Sequence, residues 1–123
     1  MKDIETKADV KLLVESFYTE IMQDAQIGFI FQEHMKNKLE DHLPRICLFW
    51  ESILFKNVAY KGNPMLVHLE LNKKVPLTEE FFNIWINAWV RNVRELYEGE
   101  NAEILISRAK TIKELMLYKI SKS

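Results

Sequence analysis

The chain is poor in residues that staple, break or loop a fold. Among 123 residues it has one cysteine, three glycines and three prolines. A single thiol, Cys47, excludes an intrachain disulfide and a cysteine-rich zinc site, and its apolar setting Ile46-Cys47-Leu48-Phe49-Trp50 marks it as a small buried or half-buried side chain. Gly28, Gly62 and Gly99 are too few and too scattered for a phosphate-cradling or dinucleotide-binding loop, and no nucleophile elbow occurs. No apolar run approaches the ~18 residues of a membrane span. The opening Met1–Asp9 carries charges where a secretory signal needs an apolar core, so a cytoplasmic location with no membrane partner is expected. The formal net charge is -1 and the lysines are interleaved with acids, which leaves no electrostatic basis for a nucleic-acid partner.

What remains is helical patterning. From about Asp9 to Asp24, Leu13, Phe17 and Ile21 recur at i, i+4 and i+8, with Val14, Tyr18 and Met22 beside them. Ile27–Phe31 reads as a short apolar turn, followed by a polar loop through His34 and Asn37. A second long pattern runs from about Lys38 to Lys56, where Leu39, His42, Ile46, Phe49 and Ile53 share one face and Leu43, Trp50 and Leu54 flank it. Pro44 falls inside it, so this helix is expected to begin near Leu43 or to carry a kink. Thr78 can cap a helix with Phe81, Trp85, Ala88 or Trp89, and Leu96 on its core face; Gly99 ends it. Asn101 can cap the last helix, in which Ile104, Leu105, Arg108, Ile112, Leu115 and Met116 are helically spaced. No period-2 run is convincing, and no composition shift or linker divides the chain. One all-α domain over 1–123 is expected.

Between the second and third long patterns lies Tyr60-Lys61-Gly62-Asn63-Pro64, opening a short apolar segment that carries His68 amid Met65, Leu66, Val67, Leu69 and Leu71. Neutral imidazole is a common metal ligand, and a single proximal histidine is one standard way to hold haem iron. Spacing alone leaves the blander readings open. His68 can be a packed histidine, Tyr18 can turn its hydroxyl to solvent, Trp85 can be a core aromatic like Trp50 and Trp89, and His42 can sit on a helix surface. Zinc is poorly supported, since the three histidines are far apart and no His-Glu-x-x-His occurs.

The ordered set of pieces resembles a truncated haemoglobin, specifically group III of that bacterial family. It runs from about Asp9 to Ile120: Leu13–Tyr18, Ile27–Phe31, His42 with Phe49-Trp50, Tyr60–Pro64 with His68, Phe82 with Trp85, and Arg108-Ala109. The resemblance implies a globin-like, truncated two-over-two helical sandwich around haem b, with a very short leading helix. It implies that His68 is the proximal iron ligand and that Tyr18, His42 and Trp85 line the opposite, ligand-binding side. Phe31, Ile46 and Phe49 are placed against the cofactor. Two departures bear on the haem edge: Leu39 stands where many members carry tryptophan, and Phe81 where histidine is common.

The implied function is reversible binding of oxygen, with nitric oxide and carbon monoxide as further diatomic ligands, held tightly by Tyr18 and Trp85. His42 could gate entry from solvent, donate a third hydrogen bond or ligate iron directly when no ligand is present; of these the gate is favoured. The alternative is a redox enzyme on the same site, a nitric oxide dioxygenase or a peroxidase-like detoxifier. It would need an external reductase, because the chain has no flavin or nicotinamide fingerprint. The remote alternative is a haem-free helical interaction module.

Overall fold

A computed structural model describes residues 1–35, 39–55 and 77–122. Within them lie five helices and no strand: α1 Lys7–Ile21, α2 Gly28–Met35, α3 Leu39–Leu54, α4 Glu79–Leu96 and α5 Glu100–Lys122. Packing runs in a closed cycle, with α1 on α3 and α4, α4 on α5, and α5 back on α3. Two helix pairs, α1/α3 and α4/α5, thus face each other across one apolar core. No helix among the described residues is long and apolar enough to cross a membrane.

Each long helix forms because one stripe is apolar at helical spacing. On α1 the buried stripe is Val10, Leu13, Val14, Phe17 and Ile21. Its start is set by a capping box: the Thr6 hydroxyl accepts from the Asp9 amide at 3.2 Å, and the Asp9 carboxylate accepts from the Thr6 amide at 3.0 Å. On α4 the Thr78 hydroxyl accepts from the Phe81 amide at 3.1 Å, as its position in the sequence suggests. Phe81, Phe82, Trp85, Ile86, Ala88, Trp89, Asn92 and Val93 are buried behind it. On α5 the buried stripe is Ala102, Leu105, Ile106, Ala109 and Met116, whereas Leu115 and Arg108 face solvent.

Four local expectations are corrected. The apolar piece after Ile27 is helix rather than turn, because Gly28 lets α2 start hard against the end of α1; a β-carbon there would lie 2.7 Å from the Met22 carbonyl oxygen. Helix α3 includes Leu39–Leu54, so Pro44 sits within it, at an exposed position, and the alternative of a start near Leu43 is set aside. No separate leading helix is present, since residues 1–6 are non-helical. They form instead a strap across the start of α5. There the Asp3 carboxylate accepts from the Asn101 and Ala102 amides, both at 2.9 Å, and takes over the capping expected of Asn101. The Asn101 side chain donates to the Ile4 carbonyl at 2.7 Å.

The same strap explains why α4 stops short of Gly99. Tyr97 turns extended and donates its hydroxyl to the Asp9 carbonyl at 2.8 Å. Gly99 then takes φ 146°, and a β-carbon on it would lie 2.5 Å from the Asp3 carboxyl carbon. Only glycine fits that backbone and that space.

Candidate functional site

The α1–α4 crossing gathers the aromatic side chains. Phe17 is at its centre, fully buried, with its ring edge-on to Tyr18 at 5.0 Å, to Trp89 at 5.2 Å and to Trp85 at 6.3 Å. Tyr18 continues outward to Phe31 of α2 at 6.0 Å, and Phe31 stacks on Phe81 of α4 at 5.9 Å with rings 14° apart. Tyr18, Phe31 and Trp85 therefore belong to one aromatic cluster built from three helices. Adjacent positions on α1 lie about 100° apart around its axis, so Phe17 points into the core while Tyr18 points along its margin.

Polar hydrogens separate the functional candidates from ordinary core aromatics. The Trp89 indole N–H donates to the Leu105 carbonyl at 3.2 Å, and Tyr97 is bonded to Asp9. Tyr18 and Trp85 have no hydrogen-bond partner among the described residues, although Trp85 is only 8% exposed. Burial, with Cys47 nearby, pushes the Tyr18 phenol well above its ordinary range, so it keeps its proton at neutral pH. A buried donor left unpaired costs about 1–3 kcal/mol. Both donors, the half-buried Tyr18 and the buried Trp85, belong to this one aromatic cluster. Trp50 also lacks a partner among the described residues, but it lies flat on Trp89, 4.4 Å between ring centres, inside the core.

On α3, Ile46 and Phe49 are half-buried, as is Ile53 one turn on. Among the described side chains of this helix the buried ones are Trp50, 4% exposed, and Glu51, 8% exposed. This reverses the expected ranking, in which Trp50 flanked the stripe. The face bearing Ile46, Phe49 and Ile53 is part-covered, and it keeps large apolar side chains available to a flat apolar group. His42 belongs to α3, one turn before Ile46, and its side chain lies outside the described atoms. His68 lies outside the described residues altogether. Among those described, no group of three His, Cys, Asp or Glu side chains could hold a metal ion.

Cys47 is half-buried on α3, and burial, with Glu51 and Glu15 nearby, pushes its thiol up to about 11. It is a protonated, weakly nucleophilic thiol at neutral pH. Among the described residues, one open cleft of about 400 Å³ lies between α2 and α4 beside Phe29 and Phe81, and another of about 570 Å³ between α1 and α3 beside Cys47 and Glu51. Neither is lined by Tyr18 or Trp85.

No protein-family model matches the chain. It is, however, 31% identical over 113 residues to the group 3 truncated hemoglobin ctb of Campylobacter jejuni, with 87% of each chain covered. The chain belongs to the group III truncated haemoglobins. The fold agrees: the crystal structure of the group III truncated hemoglobin from Campylobacter jejuni superposes with a TM-score of 0.85 at 26% identity, over 98% of this chain and 95% of that one. The five helices are thus those of a truncated two-over-two globin sandwich.

Two residues of the cluster escaped the sequence reading as participants in the site. Phe17 was legible as core but not as the ring joining Tyr18 to Trp85. Phe81, singled out for standing where histidine is common, turns out to face Phe31; the only local signal was its i, i+4 spacing from Trp85.

Proposed function

We propose that this group III truncated haemoglobin, one domain over residues 1–123, binds haem b through His68 and binds oxygen reversibly. Haem, when bound, would supply an iron able to take up oxygen, nitric oxide or carbon monoxide. The observation carrying the proposal is the pair of donors, Tyr18 O–H and Trp85 N–H, that lack partners among the described residues, in a cluster that also contains Phe31. Such donors favour a diatomic ligand that gathers negative charge, and each bond to a charged acceptor contributes about 1.5–3 kcal/mol, or roughly 10- to 150-fold in a dissociation constant. Phe31, Ile46 and Phe49 supply flat and branched apolar surface for the porphyrin. His42, one turn before Ile46 on α3, is assigned to the solvent side of the ligand site as its gate.

Two protonated donors and no titrating acid among Tyr18, Phe31 and Trp85 suit retention of oxygen with slow release. An external reductase would turn the same site toward nitric oxide or peroxide turnover. The first test is a haem titration of the purified chain. A Soret band saturating at one equivalent is expected; intact helical circular dichroism with no Soret band would refute the proposal. Stopped-flow mixing of the loaded protein with nitric oxide or peroxide, with a reductant present, then separates carrier from enzyme.

A further inference from the structure

Trp85, Trp89 and Asn92 stand at i, i+4 and i+7 of α4 and share the stripe facing α1. Two of them meet Phe17 edge-on. The third is an amide, only 3% exposed. A buried amide is costly unless its polar atoms are paired, and these are. The Asn92 Oδ1 accepts from the Ser16 hydroxyl at 2.7 Å, and its Nδ2 donates to the Ala88 carbonyl at 2.8 Å and to the Glu20 carboxylate at 3.4 Å. Glu20 is in turn held by the Arg91 guanidinium. Ser16 and Glu20 lie one turn apart on α1, on either side of Phe17 in sequence.

An apolar contact between two helices tolerates small rotations and slips, because the same area is buried in many settings. A part-buried donor–acceptor pair tolerates less, because any other setting leaves the buried Asn92 amide oxygen unpaired. We infer that Ser16 and Asn92 are positioning residues for the ligand site: their hydrogen bond sets the rotation and register of α1 on α4 so that Tyr18 and Trp85 serve one ligand. The inference rests on the proposal that these two donors act on a haem ligand. Ser16 lies two residues before Tyr18, and Asn92 two turns beyond Trp85 on the same stripe. A turn of α1 about its own axis would therefore separate the two donors while leaving Phe17 still packed among aromatic rings.

The test compares Ser16→Ala, Ser16→Thr and Asn92→Leu in the full chain. With haem and carbon monoxide bound, the parent and Ser16→Thr should give one narrow C–O stretching band and slow oxygen release. Ser16→Ala and Asn92→Leu should add a second band and release oxygen about 2- to 10-fold faster. In the haem-free proteins, the Trp85 indole N–H should give a single magnetic resonance signal in the parent and a shifted or doubled one in Ser16→Ala. Ser16→Ala removes one oxygen atom and is the deciding variant should Asn92→Leu fold poorly. A parent-like Trp85 signal, stretching band and release rate in Ser16→Ala would overturn the inference. A parent chain with no Soret band would instead refute the haem proposal, and the indole signal alone would then decide the positioning role.

Discussion

Replacing Tyr18 by phenylalanine should move function and stability in opposite directions. The hydroxyl has no partner among the described residues and Tyr18 is half-buried, so leaving it unpaired costs up to about 1–3 kcal/mol. Deleting it keeps the ring, with its contacts to Phe17 at 5.0 Å and Phe31 at 6.0 Å. The haem-free variant should therefore be as stable as the parent or more stable, by up to that amount. Oxygen release from the haem-loaded variant should quicken about 10- to 150-fold, the value of one hydrogen bond to a charged acceptor. Urea denaturation reads the first quantity, and stopped-flow displacement of oxygen by carbon monoxide reads the second. Tyr97→Phe is the internal control. It loses a bond to the Asp9 carbonyl at 2.8 Å and should cost about 0.5–1.5 kcal/mol without changing oxygen release. If Tyr18→Phe is destabilised as much as Tyr97→Phe, the hydroxyl has a protein partner and the reasoning fails; unchanged oxygen release would remove its role as donor.

The strap over α5 supports two further expectations. Asp3→Ala removes the carboxylate that caps α5 and should cost about 0.5–2 kcal/mol, while Gly99→Ala forces a β-carbon into Asp3 and should cost more than about 1 kcal/mol; because both act on one clasp, the double variant's loss in thermal melts should be less than additive. Asp9 is held from 3.8 down to about 2 by the Lys2 ammonium and by the Glu5 and Thr6 amides. A carboxyl depressed by folding contributes stability that is complete above its unfolded value and is lost as pH falls through the folded one. Asp9→Asn should flatten the fall in melting temperature between about pH 4 and pH 2; an unchanged slope would show that other carboxylates carry the acid sensitivity. Asp3 should add to the same window, since three backbone N–H groups outweigh its burial and lower its pKa as well.

Four helices were legible in the sequence because each buries one stripe, and a 3.6-residue period needs no partner to be seen. Helix α2 was not, because its apolar residues, Phe29, Ile30 and Phe31, are consecutive and show no period. The face of α3 was misjudged for a related reason: Ile46, Phe49 and Ile53 lie on one apolar side and Trp50 on the next, and local spacing cannot rank two adjacent apolar sides. The capping of α5 was beyond any local reading, because Asp3 reaches it from 98 residues away. Within the site, Tyr18, Trp85 and Phe31 were assigned by resemblance rather than by pattern. What the fold added is that their rings form one cluster and that two of its polar hydrogens lack partners among the described residues. Ser16 and Asn92 looked like ordinary polar positions, and their pairing across 76 residues is visible only in three dimensions.

The proposed function rests most heavily on His68 as the residue that would hold haem iron. Haem titration of the parent and of His68→Ala, followed in the Soret region with helical content monitored in parallel, tests it most directly. The parent should saturate at one haem per chain and retain it through gel filtration, while His68→Ala keeps its helical signal and loses haem on the column. Retention by His68→Ala with a parent-like spectrum would contradict the assignment.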